Sequence, residues 1–135
     1  MIPQEMRLEI VTPNGVALCE MVRYVQIPVE NGSLGVLPGH TAMMVAVGAG
    51  VLKYQGENKE DYLAVSDGFA EVDNDKIIVL TNTAEDAAHI DLARAEAALN
   101  RAQERLSHKG KDTDVARAEA SLRRAMARIN ASRRR

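Results

Sequence analysis

The apolar periodicity of this chain changes once, near Ile90, and that change limits the possible folds more than any other feature. Before it, hydrophobic residues recur at every second position; after it, they step by three and then four. In RLEIV, Leu8 and Ile10 alternate with charged neighbours. In VRYVQIPV, Val25, Ile27 and Val29 share one side, and Tyr24, Gln26 and Pro28 the other. AMMVAV, GVLKYQ, DYLAVSD, GFAEVD and KIIVLTN continue as strands. Turn chemistry separates the strands at Pro13-Asn14-Gly15, Asn31-Gly32, Pro38-Gly39, Gly56-Glu57-Asn58 and Asp73-Asn74-Asp75. Many short strands with no helical pattern between them predict an antiparallel sandwich or barrel over residues 1–85.

Residues 86–135 predict two helices. Leu92, Ala95, Leu99, Ala102 and Leu106 form one heptad seam; Val115, Ala118, Leu122, Ala125, Ile129 and Ser132 form another. The break SHKGKDTD is short enough to force an antiparallel hairpin, with Gly110 ending the first helix and Thr113 or Asp112 capping the second. One register joins a large residue to a small one in every layer: Leu92 with Ser132, Ala95 with Ile129, Leu99 with Ala125, Ala102 with Leu122, Leu106 with Ala118. Alanine buries little surface, at about 25 cal/mol per Å², so the hairpin is expected to be stable only conditionally and the β half by itself.

Composition narrows the classes. Hydrophobic residues at 46% and charged residues at 27% suit a globular chain, and aromatics at 3% leave the core to Val, Leu, Ile, Met and Ala. A net charge of −2 argues against nucleic-acid binding. The ending RRAMARINASRRR is nevertheless a local cationic surface, suited to an acidic protein patch or a phosphate. Cys19 is the only cysteine, which excludes an intrachain disulfide. MIPQEMRLEI lacks the pattern of a signal peptide, and no stretch reaches the roughly 20 apolar residues of a membrane span. No direct membrane insertion is expected.

No GxxxxGK[ST], HExxH or GxSxG motif occurs, and no Cys/His cluster has metal spacing, so no catalytic residue and no metal site are predicted. His40, His89 and His108 are scattered and read as surface or turn residues. ENGSLGVLPGH, from Glu30 to His40, reads as a structured loop between strands, available for display to a partner. In IDLARA, Asp91 and Arg94 stand three apart, which fits a solvated helical ion pair or part of a ligand site. The hairpin register gives the second reading a physical basis, while a solvated charged face trimmed by Asp91, Glu96 and Glu104 stays open. Closing the hairpin brings Arg94 near Arg128 and Arg101 near Arg124. Four gathered cations repel unless an anion sits between them, and guanidinium groups bind phosphate in bidentate fashion.

RLEIVTPNG, the stretch GSLGVLPGH, LAVSDGFAEV, VLTNTAED and the closing IDLARA…RAMARI together resemble the epsilon subunit of the bacterial F-type ATP synthase, of the Bacillus-like, ATP-binding type. The resemblance runs from end to end. It implies a β-sandwich followed by a helical hairpin, and a non-catalytic rotor subunit at the cytoplasmic face of the bacterial membrane, held there peripherally. The implied partners are the gamma subunit, the c-subunit rotor ring, and the alpha and beta subunits when the hairpin extends to block ATP hydrolysis. Rotor-ring contact carries over to Gly32, Ser33, Leu34, Gly35, Pro38, Gly39 and His40, with Ser33 standing where some relatives have an acidic residue. Contact with an acidic segment of the beta subunit carries over to Arg117, Arg123, Arg124 and Arg128, with Arg133, Arg134 and Arg135 beyond them.

The ATP-binding motif of this type carries over to Ile90, Asp91, Arg94 and Ala95, joined by Glu85, Arg101, Arg124 and Arg128. ATP is thus implied as a regulatory ligand that favours the closed hairpin, with no required cofactor and no obligatory Mg2+. Asp91 is expected to accept hydrogen bonds from adenine or ribose, and the arginines to hold phosphates. Two rivals remain: a stand-alone sandwich whose basic arm binds an unrelated acidic protein, and a small hydrolase, for which no nucleophile–base pair is present.

Overall fold

The computed structural model describes residues 3–108, 110 and 112–134. Ten strands precede two helices: β1 (Met6–Thr12), β2 (Gly15–Val22), β3 (Tyr24–Val29), β4 (Gly32–Val36), β5 (Met43–Val47), β6 (Gly50–Gln55), β7 (Glu60–Val65), β8 (Gly68–Val72), β9 (Lys76–Thr81) and β10 (Ala84–Asp86). A 3-10 turn at Ala87–His89 leads into α1 (Leu92–Ser107) and α2 (Val115–Ser132). The strands form two five-stranded sheets, ordered β2-β1-β9-β8-β5 and β10-β7-β6-β3-β4. The change of period predicted a sandwich or barrel followed by a hairpin, and the two sheets make it the sandwich that the resemblance implied. All pairings are antiparallel except β1 with β9, which run parallel.

The alternation seen in the sequence is what fills the sandwich. Met6, Leu8 and Ile10 of β1, Val25 and Ile27 of β3, Leu52 of β6 and Ile77 and Val79 of β9 are all fully enclosed. Each such side chain contributes about 1.5–3 kcal/mol through burial. Three strands escaped the periodicity: β2, β4 and the three-residue β10. β2 is an edge strand with most of its residues exposed, so only one of its faces has a reason to be apolar.

The second, β4, corrects the reading of Glu30–His40 as one loop. Gly32–Val36 pairs with β3 across a tight turn in which Asn31 takes a left-handed φ of 65°. Its glycines mask the alternation, yet Leu34 lies opposite Ile27 and Val36 opposite Val25, both on the core side. Only the segment after Val36 is irregular.

The helices meet along the expected seam, with Ala95, Ala102, Ala118, Ala125, Ile129 and Ser132 buried. Their ends differ from expectation. α1 stops at Ser107 with His108 as its C-cap, not at Gly110. Asp114, and neither Asp112 nor Thr113, caps α2, because its Oδ1 sits 3.0 Å from the Arg117 N–H. Thr113 is used inside the turn, where its hydroxyl accepts from the Gly110 N–H at 3.0 Å.

α2 also buries a second stripe. Ala127 and Ala131, one turn apart and off the heptad seam, pack with Ile90, Ala87 and Ala64 and against Val51 and Tyr62. The hairpin is therefore folded down on β6 and β7. Two polar clasps reinforce this contact. Arg128 Nε donates to Glu85 Oε1 at 2.8 Å, and the Arg134 guanidinium lies 5.8 Å from the centre of the Tyr62 ring.

Candidate functional site

The segment from Thr83 to Asp91 is folded residue by residue into one wall of a cleft. The Ser66 hydroxyl accepts from both the backbone N–H and the hydroxyl of Thr83, each at 2.9 Å, which fixes the chain as it enters β10. β10 adds to the edge of its sheet with Glu85 opposite Ala64. Asp86 then caps the 3-10 turn, its Oδ1 accepting from the Ala88 N–H at 2.9 Å. Ile90 is buried under α2, and Asp91 caps α1 by accepting from the Arg94 N–H at 3.1 Å.

Against this wall stand Arg94 and Arg101, two turns apart on α1, and Arg128 of α2. Ala95 and Ala98 leave room between them. The resulting cleft has a volume of about 450 Å³ and is lined by Glu85, His89, Ile90, Asp91, Arg94, Ala95, Ala98, Arg101 and Arg128. That volume lies within the usual range for a small-molecule site, about 300–1,000 Å³. Three guanidinium groups at one concave surface suit an anion with several phosphate oxygens.

Of the eight residues singled out around IDLARA, seven line this cleft. The eighth, Arg124, does not: its guanidinium donates to the Ser121 hydroxyl, one turn back on its own helix, at 3.1 Å. Asp91 and Arg94 form no side-chain ion pair. Among the described residues the salt bridges are Lys53–Glu60, Lys59–Asp61 and Arg128–Glu85, so the solvated helical pair is not formed.

The sequence itself holds a signal that explains the spacing. IDLARAEAAL is echoed by TDVARAEASL, and Asp114 caps α2 with the geometry that Asp91 uses on α1. An aspartate three residues before an arginine is thus first a capping device. What sets the first copy apart is the company of Glu85, His89, Arg101 and Arg128. Removing the cap with Asp91→Ala is expected to cost about 1 kcal/mol of arm stability, and Asp91→Ser to restore most of it. Thermal melts followed by helical circular dichroism measure both.

The other predicted positions fall elsewhere. Gly32, Ser33, Leu34 and Gly35 lie on the edge strand β4, where the Ser33 hydroxyl accepts from Gln26 at 2.8 Å. Pro38, Gly39 and His40 follow in the loop; Gly39 has a φ of 87° and donates its N–H to Asn74 at 2.6 Å. Arg117, Arg123, Arg133 and Arg134 are exposed, and Arg135 lies outside the described residues.

A broader cleft of about 690 Å³ opens on the first sheet, lined by Val11, Ala46, Gly68, Phe69 and Leu80 among others. The sequence reading missed it. Phe69 at 59% exposed, Leu80 at 53% and Met44 at 69% mark the same face as an uncovered apolar surface.

Comparison with known proteins agrees with this architecture. Residues 5–87 match the family model described as ATP synthase, Delta/Epsilon chain, beta-sandwich domain. Residues 89–133 match the one described as ATP synthase, Delta/Epsilon chain, long alpha-helix domain. The ATP synthase epsilon chain of Lawsonia intracellularis is 48% identical over 109 residues, covering 81% of this chain and 82% of that one. That of Desulforamulus reducens is 46% identical over 106 residues, covering 78% and 80%. Among solved structures, a chain of the Euglena gracilis mitochondrial ATP synthase, in a structure containing OSCP, F1 and the c-ring, superposes with a TM-score of 0.84. It has 25% identity and covers 94% of this chain and 81% of that chain. The paired family matches and the close relatives over most of their length place this chain in the ATP synthase epsilon-chain family.

Proposed function

We propose that this chain is a non-catalytic rotor subunit whose helical arm senses ATP and restrains ATP hydrolysis. The arm lies down on the sandwich when ATP is bound. When ATP is scarce the arm rises, extends along gamma and inserts among the alpha and beta subunits, with its basic helix toward an acidic segment of beta. The uncovered face around Met44, Phe69 and Leu80 suits docking on gamma, and the edge strand and loop from Gly32 to His40 suit the c-ring. Attachment to the enzyme's membrane sector by these contacts would hold the chain at the cytoplasmic face of the membrane without inserting it.

The observation that carries this reading is that the arginine cleft is assembled from both helices and from the segment between sheet and hairpin. Lifting α2 removes Arg128 and opens the site. A ligand confined to the closed form stabilises it by RT ln(1 + [L]/Kd), about 1.4 kcal/mol at tenfold excess. A hairpin docked mainly through alanines needs little more to shift. No side chain of the cleft forms a nucleophile–base pair, so bound ATP is expected to stay intact.

Calorimetric titration of ATP into the isolated chain tests the reading, alongside Arg94→Ala and Arg128→Ala. Each substitution is expected to weaken binding about tenfold to a hundredfold, the worth of one charge-assisted contact. Equal heats for all three proteins would sink the nucleotide reading and leave the rotor role untouched.

A further inference from the structure

His89 closes the 3-10 turn and lines the arginine cleft, a position that its isolation in the sequence did not reveal. Its ring is exposed and forms no hydrogen bond among the described residues. Around it stand Glu85 and Asp86 of β10, Asp91 at the start of α1, Arg94 and Arg101 on α1, and Arg128 on α2. Within the cleft, three guanidinium groups face two carboxylates, and Glu85 already holds Arg128 at 2.8 Å. A single net positive charge remains for a ligand that carries several negative ones.

We propose that His89 is a further phosphate contact of this cleft, one that takes up a proton as the nucleotide binds. Closure of the arm then reads pH together with nucleotide. The inference rests on the ATP reading of the cleft and adds a residue to it. Imidazole is the side chain whose charge changes nearest neutrality, whereas arginines and ordinary carboxylates hold theirs between about pH 6 and about pH 8. An imidazolium donates a charge-assisted hydrogen bond to phosphate, so the anion favours the protonated ring. By linkage the protonated ring favours the anion equally.

The test titrates ATP into the full chain at about pH 6 and about pH 8, in two buffers of different ionisation enthalpy. It compares the unaltered chain with His89→Gln and His89→Lys. The unaltered chain is expected to bind about fivefold more tightly at the lower pH, with net proton uptake. The terminal phosphate of ATP titrates in the same window, so the quantity read is the difference between the unaltered chain and His89→Gln. His89→Gln is expected to lose the extra affinity and the uptake. His89→Lys is expected to hold the tighter binding at both pH values without uptake. A pH profile and proton uptake that persist unchanged in His89→Gln overturn the role of His89 while leaving ATP binding in place. Absence of ATP heat from every protein overturns both.

Discussion

Gly68→Ala is expected to destabilise the sandwich by about 3 kcal/mol or more, lowering its melting temperature by more than about 12 °C. Gly68 opens β8 and pairs with Thr81 on one side and Val47 on the other. A β-carbon there would overlap the Leu80 carbonyl oxygen and come within 2.9 Å of Thr81 Cα. Both obstacles are backbone of the neighbouring strand, so no side-chain rotation relieves them, and the ladder must separate. Gly48→Ala is the control: the nearest atom to its added β-carbon is 3.6 Å away, an ordinary contact. Differential scanning calorimetry of the two variants decides the matter. Similar melting temperatures would show that the strands have slack which the close approach at Gly68 conceals.

The second large effect is on the arm. Ala131→Asp is expected to lift α2 from the sandwich while leaving the β core folded. Ala131 is completely buried, and the surface it meets, Ala64, Ala87, Ile90, Val51 and Tyr62, is apolar except for the Tyr62 hydroxyl, which already donates to Glu60. Burying an unpaired carboxylate costs several kcal/mol, whereas each buried methyl group of this interface contributes only about 0.8 kcal/mol. The charge therefore wins, and the helix leaves. The expected readout is rapid tryptic cleavage after Arg123, Arg124 and Arg128, with an unchanged melting transition for the sandwich. If the arginine cleft is the ATP site, nucleotide binding disappears as well, because Arg128 departs with α2. Undiminished protection from trypsin would show that the seam with α1 and the Glu85 and Tyr62 clasps hold the arm without the alanine contact.

Legibility followed the physical character of each element. Strands with one face in the core and one in solvent announced themselves by alternation, as β3 and β9 do. β4 did not, because three of its five residues are Gly or Ser and its register depends on pairing with β3. β10 did not either: three residues carry no period, and the strand exists because β7 offers an edge. In the helices the heptad seam was readable, since one partner imposes one stripe. The second stripe of α2, Ala127 and Ala131, was not, because alanine on a helix surface is as compatible with solvent as with a sheet.

The site divides in the same way. Its arginines and Asp91 stood out by type and spacing, whereas His89 and Ala98 entered only through their placement. Arg124, expected beside Arg101, instead bonds Ser121, a neutral acceptor on its own helix that places no further cation in the cleft.

The sequence by itself determined the β half, the antiparallel helical hairpin that follows it and most of the arginines gathered at the cleft. These depend on local periodicity, turn chemistry and short connections, all of which are written in neighbouring residues. Only the tertiary structure decided that α2 lies on β6 and β7, that Glu85 holds Arg128 and that Asp91 serves α1 as its cap. Those choices join residues far apart in the chain, 43 positions in the case of Glu85 and Arg128, or settle which of several possible donors a carboxylate accepts. Such contacts are fixed by the packing of whole faces, and no short stretch of chain contains that information.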